Sequence, residues 1–204
     1  MSDYFLAIIL AVIQGLTEFL PISSSAHLLF PTLIFGTNDL GLLFDVATHL
    51  GTLLAVITYF RKDLVEIFAA WCPGLKNNEQ RFNEGLMLIV GTLPIVIIGL
   101  FFRDYFSVRP SLDGIAYANL IFAGLLLGAF LLSIPTILAS LILLVFDELG
   151  SISITEIYLM LIGISVSAFI AFFTIKYFLK FVNHIGMVPF VIYRIVLGAA
   201  ILMI

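Results

Sequence analysis

Charge is scarce in this chain. Lys, Arg, Asp and Glu make up 11% of its 204 residues, against about 25% in a soluble domain. Apolar residues make up 62%, and the mean hydropathy is +1.22. No water-soluble core of this length can hide so much apolar surface, so the expectation is an all-α polytopic membrane protein. The 20 Phe and 7 Tyr suit lipid-facing and interfacial surfaces. Basic runs are absent, which argues against nucleic acid as a partner. Cysteine occurs once, at Cys72, which excludes an internal disulfide framework and a multi-cysteine metal site. Met1-Ser2-Asp3-Tyr4 lacks a basic n-region, and the apolar run after it leads into Pro-Ile-Ser-Ser-Ser rather than a cleavage site. The first helix is therefore expected to stay in the working protein. The net charge of −4 says little, because orientation follows Lys and Arg.

What is present is a series of apolar runs broken at informative places. Residues 4–20 read as a helix ended by Pro21, since proline lacks an N–H and disfavours helix before it. Ser23 or Ser24 can cap a second helix that runs through His27 toward Phe35. Each arm is short for a full span, so the pair reads as a re-entrant hairpin; broken backbone at membrane depth needs protein or a wet cavity around it. Gly36-Thr37-Asn38-Asp39 reads as a turn, and residues 41–60 as a spanning helix with Asp45 and His49 on one face. Residues 61–83 read as a polar loop, placed in the cytoplasm by Arg61, Lys62, Lys76 and Arg81. Further helices are expected over 85–102 with a kink at Pro94, over 114–133 and 136–146, over 157–179, and over 188–204.

The chemistry concentrates between Gln14 and His27. Gln14 and Glu18 are one helical turn apart and point the same way. A carboxylate in so apolar a setting costs roughly 2.5–3.5 kcal/mol on insertion scales, which marks Glu18 as functional. Ser23, Ser24 and Ser25 follow at the start of the next helix, where free N–H groups and the helix dipole favour anions. His27 lies three residues beyond Ser24 on the same face. Donors, an imidazole and a carboxylate together suit a phosphate ester or anhydride. Glu18 can serve as general base or hold a divalent cation; Ser24 can be nucleophile or phosphate donor; His27 can be acid, base or phosphate contact. Asp45 and His49 read as a pair supporting the hairpin. Arg194, inside the last helix, reads as a snorkelling residue or as a phosphate clamp.

Two short segments recur in the same order. Leu50-Gly51-Thr52-Leu53-Leu54-Ala55 matches Ile134-Pro135-Thr136-Ile137-Leu138-Ala139, and Gly91-Thr92-Leu93-Pro94-Ile95-Val96-Ile97 matches Gly186-Met187-Val188-Pro189-Phe190-Val191-Ile192. Shared order points to one membrane domain, 1–204, built as an inverted repeat: a first repeat over 1–103 and an incomplete second over 104–204. The incompleteness is visible. The first repeat begins with the whole hairpin, while residues 104–133 contain no Pro-x-Ser-Ser, no intramembrane Glu and no His.

The run Gln14-Gly-Leu-Thr-Glu18-Phe-Leu-Pro21-Ile-Ser-Ser24-Ser-Ala-His27 resembles the first signature of the undecaprenyl-pyrophosphate phosphatases of the bacitracin-resistance type. Phe44-Asp45, His49 to Ala55, Leu132 to Ala139 and Val188-Pro-Phe-Val-Ile-Tyr-Arg194 resemble the family as well. The resemblance implies a bacterial inner-membrane, multi-pass hydrolase that removes the terminal phosphate of a polyprenyl diphosphate lipid and regenerates the carrier for peptidoglycan synthesis. It implies Glu18, Ser24 and His27 as catalytic positions and Glu18 with Gln14 as ligands of a divalent cation, magnesium or calcium. Gln14, Ser23, Ser25 and Arg194 are then candidate substrate contacts. The family's second signature, Pro-Gly-x-Ser-Arg-Ser-Gly, has no counterpart here; its place falls around residues 123–130. A homodimer joining two first-half hairpins is one way to complete such a site. The alternatives are a polyprenyl-phosphate carrier or binding protein without hydrolysis, and an inactive shortened homologue.

Overall fold

The structure, a computed structural model, describes residues 2–72, 78–101, 152–186 and 188–202. The helices expected over 114–133 and 136–146, and the repeat segment 134–139, lie outside the described residues. Among the described residues all regular structure is helical: α1 (Asp3–Thr17), α2 (Ser24–Phe35), α3 (Gly41–Tyr59), α4 (Arg61–Trp71), α5 (Glu79–Phe101), α6 (Ile154–Ile185) and α7 (Val188–Ile201). Two of them, α3 and residues 154–182 of α6, are long and apolar enough to cross a membrane; α1, α2 and α7 are shorter apolar helices.

α1 starts where Ser2 accepts the Phe5 N–H at 3.4 Å. It ends at Thr17, three residues before the expected end. The cause is Pro21, which has no N–H for the Thr17 carbonyl and whose ring occupies the space beside it. Glu18 nevertheless keeps helical dihedrals, and its N–H bonds the Gln14 carbonyl at 3.0 Å. Its side chain therefore stays in register with Gln14. The chain then reverses. α2 returns along α1, so that Asn38 Nδ2 donates to Asp3 Oδ1 at 3.2 Å, and Leu28 joins Leu6, Ala7, Leu10, Phe44 and Leu159 in one buried cluster.

α6 packs against both α1 and α3. Small residues bring the backbones close, as in other membrane helix pairs. A Cβ on Gly15 would lie 2.7 Å from the Ile170 Cβ and 2.9 Å from the Ser167 carbonyl oxygen. Gly51 faces the Ser167 hydroxyl and the Ile164 carbonyl. Ser167, fully buried, donates its hydroxyl across this contact to the Thr48 carbonyl at 2.8 Å.

The segment expected as a polar loop, 61–83, contains α4 and the first turn of α5. Leu64, Ile67, Phe68 and Trp71 recur at helical spacing. Trp71 stacks on Phe82 with centroids 4.8 Å apart. Arg81 ties α5 to α4 through Asp63 at 3.0 Å and Glu66 at 2.8 Å, and pairs with Glu84 at 2.8 Å within α5. α6 outruns the expected 157–179 at both ends, because Ser153 and Glu156 form a reciprocal capping box and the helix continues to a left-handed Gly186, φ 72°. α7 docks on α2 through Ala26, Leu197 and Ile201. The second recurring segment takes different local forms: Gly91 to Ile97 runs inside α5, while Gly186 and Val188 to Ile192 form a turn and the start of α7.

Candidate active site

Glu18 is the centre of the polar residues in the hairpin. Its side chain is 5% exposed, and it caps the C-terminal end of α1, where the helix dipole repels a carboxylate. Donors offset that cost. Gln14 Nε2 donates to Glu18 Oε2 at 2.6 Å and Ser24 Oγ donates to the same oxygen at 2.7 Å. His49 Nε2, from α3, stands 3.5 Å from it. The start of α2, with the favourable sign of dipole, lies beside the carboxylate because Ser24 is its first residue.

The serines do not act as helix caps in the expected way. Ser23 holds the N-cap position in a left-handed conformation, φ 70°, and makes no side-chain cap bond. Ser24 is turned to Glu18 instead. The turn between Glu18 and Ser24 is short and contains Pro21, so the left-handed residue supplies the reversal; such a backbone costs of order 1–2 kcal/mol for an L-residue. Ser25 is exposed.

His27 does not bond Glu18. Its Nδ1 donates to the Ser23 carbonyl at 2.7 Å, so its Nε2 is free to accept from the Tyr193 hydroxyl, also at 2.7 Å. The two rings stack with centroids 5.8 Å apart. His27 thus joins the hairpin to α7, and Arg194 follows Tyr193 on that helix, half-buried. Beside His27 opens a groove between α1 and α2 of about 860 Å³. Leu6, Ile9, Ile13, Phe30, Pro31 and Ile34 line it; Asp3 and Asn38 stand at the end away from His27.

A divalent cation fits part of this arrangement. Gln14 is fully buried, and its Oε1 has no hydrogen-bond partner. The amide orientation follows from chemistry, since Nε2 must face the carboxylate it donates to. An orphaned amide oxygen next to a carboxylate is a hard-cation donor pair, which magnesium completes with water and substrate phosphate. Among the described residues no group of three or more His, Cys, Asp and Glu gathers as a metal cluster.

The structure therefore brings Gln14, Glu18 and Ser24 together, and it places Ser23 and His27 on the adjacent turn. Two contributors are not singled out by sequence reading. His49 was expected to support the hairpin with Asp45; it uses Nδ1 on the Asp45 carbonyl at 2.7 Å and aims Nε2 at Glu18. Its spacing from Asp45 showed only a shared face. Tyr193 gives no local signal, because its partner His27 is 166 residues away in the chain.

Comparison with known proteins follows the same lines. A family profile described as "Bacitracin resistance protein BacA" matches residues 7–129 and 128–200. A protein of Alcanivorax borkumensis named "Undecaprenyl-diphosphatase" is 37% identical over 262 residues, covering 98% of each chain. A protein of the same name from Saccharophagus degradans is 37% identical over 262 residues, covering 98% of this chain and 97% of its own. Both alignments exceed the 204 residues of this chain, so the relatives carry internal sequence that this chain lacks. The family match divides where residues 128 and 129 meet, inside the 123–130 stretch at which the second signature was missed.

Proposed function

The chain belongs to the bacitracin-resistance BacA family, and we propose that its work is the hydrolysis of undecaprenyl diphosphate to undecaprenyl phosphate and inorganic phosphate. The product is the lipid carrier that peptidoglycan synthesis consumes. One observation carries the reading to particular atoms: the buried Glu18 accepts the Ser24 hydroxyl hydrogen at 2.7 Å. A hydroxyl bonded to a carboxylate is a nucleophile beside its base.

In the first step Ser24 Oγ attacks the terminal phosphorus and its proton passes to Glu18. The bond from that phosphorus to the bridging oxygen breaks, and undecaprenyl phosphate leaves. Water then attacks the phosphoserine, again losing its proton to Glu18, and releases phosphate. Gln14 and Glu18 are the residues that would hold a magnesium or calcium ion, which supplies charge neutralisation for the diphosphate when bound. His27 meets the diphosphate through Nε2 once Tyr193 gives that atom up. Arg194, one residue on, is the cation this reading assigns to phosphate. Ser23 and Ser25 contribute hydroxyls at the start of α2.

The α1–α2 groove suits the prenyl chain: it is apolar along its length and has His27 at its inner end. In the membrane the two arms form the re-entrant hairpin, and the protein is a multi-pass component of the bacterial inner membrane. Two chains paired through their hairpins would supply a second set of donors in place of the missing signature.

The test is phosphate release from farnesyl or undecaprenyl diphosphate by purified protein in detergent with magnesium. Release that disappears in Glu18→Ala supports the reading. Folded protein that releases no more than this variant, while binding or redistributing the lipid, would make the chain a carrier.

A further inference from the structure

We infer that His49 is a positioning residue for Glu18, reaching the active carboxylate from α3 and fixing which of its oxygens is available for chemistry. The inference rests on the reading of Glu18 as the base given above, and adds a residue from outside the hairpin to that site.

The argument begins with the imidazole. A carbonyl oxygen can only accept, so the 2.7 Å contact between His49 Nδ1 and the Asp45 carbonyl puts a hydrogen on Nδ1. The ring is thereby oriented by its own helix, one turn back. Nε2 then faces Glu18 Oε2 at 3.5 Å. Gln14 and Ser24 donate to that same oxygen. Three groups from three separate positions converge on Oε2, and none of the three takes Oε1. Histidines held through one nitrogen by a carbonyl and presenting the other to a functional group are a recurrent way of fixing an active geometry.

The position of His49 is itself secured. Thr48 and Thr52 flank it, both buried; the Thr48 carbonyl accepts the Ser167 hydroxyl, and Thr52 Oγ1 donates to the His49 carbonyl at 2.8 Å. Gly51 lets α6 close on this turn. The His49 side chain is 22% exposed against 5% for Glu18, so it also covers the carboxylate on the side that the hairpin leaves open.

The experiment uses full-length protein in detergent and two substitutions. His49→Leu removes the donor and keeps apolar bulk. His49→Gln keeps an N–H near the position of Nε2. Two readouts are taken: kcat and KM for prenyl diphosphate hydrolysis, and the rate at which a water-soluble carbodiimide modifies Glu18, followed by mass spectrometry. The expected result for H49L is a kcat lower by about 10–100-fold, the usual effect of losing such a partner, with KM little changed and Glu18 modified several-fold faster. H49Q should return both readouts most of the way to the unsubstituted protein. Unchanged Glu18 labelling in H49L overturns the proposal, and so does an H49Q protein as impaired as H49L, because packing rather than donation would then explain the effect. The labelling arm reads the Glu18 environment without turnover, so failure of the hydrolase reading and failure of this inference give separate results.

Discussion

Replacing Gln14 with leucine separates support of Glu18 from support of the fold. Gln14 is fully buried, donates to Glu18 at 2.6 Å, and leaves Oε1 without a partner. Gln14→Leu loses a hydrogen bond to a charged group, worth about 1.5–3 kcal/mol. It also removes a buried unpaired oxygen, which costs about 1–3 kcal/mol to keep. The two terms oppose each other, so in EDTA the variant should unfold within about 2–4 °C of the original, the shift of about 1 kcal/mol in a chain of this size. Hydrolysis should nevertheless fall by about 10–100-fold, because Glu18 loses one of its locks. Magnesium gives a further signature. An ion bound through Gln14 Oε1 and Glu18 stabilises the folded chain by about 2.7 kcal/mol at a hundredfold excess over its Kd, or about 5–11 °C, and Gln14→Leu should lose most of that gain. The assays are thermal unfolding with and without EDTA, and phosphate release. Full activity in Gln14→Leu refutes the reasoning. So does a loss in EDTA above about 3 kcal/mol, since the cancellation of the two terms would then be wrong.

Other outcomes follow from the same contacts. Ser24→Ala should lower kcat by about 10³-fold or more if Ser24 is the nucleophile, with no phosphoserine trapped on rapid acid quench; Ser24→Ala with near-full activity assigns the attack to water. Tyr193→Phe removes the hydroxyl on His27 Nε2 and should cost about 0.5–1.5 kcal/mol of stability, read as a lower unfolding midpoint. Gly51→Ala drives a methyl into Ser167 and the Ile164 carbonyl and should destabilise by about 1–3 kcal/mol, measured by thermal unfolding.

Much of this was legible before any coordinates. Composition alone predicts membrane helices, and Pro21 predicts the break after α1. The proline acts four residues upstream as well as one, which is why the helix stops at Thr17 instead of Leu20. Gln14 and Glu18 could be paired from spacing because both belong to one helix. Ser24 could be named but not aimed: helix-cap preference points it at backbone N–H groups, whereas the left-handed Ser23 turns it to Glu18. His49 and Tyr193 were invisible as site residues, since helix spacing reports neighbours within a helix and these contacts cross between helices. α4 was hidden by its charges, which drew attention from the stripe Leu64, Ile67, Phe68 and Trp71. The absent second signature was read from the missing counterpart of the hairpin, and the relatives' longer alignments agree with it.

The close approach of α6 to α1 and α3 has a genetic consequence. α6 places none of its side chains in the Gln14–Glu18–Ser24–His49 cluster, yet Ser167 and Ile170 press on Gly15, one residue from Gln14, while Ser167 also presses on Gly51, two residues from His49. In a selection for bacitracin resistance, enlarged residues along this α6 face should be lost almost as readily as Glu18 itself. A map of tolerated substitutions would therefore trace a second sensitive stripe through the most featureless apolar helix in the chain.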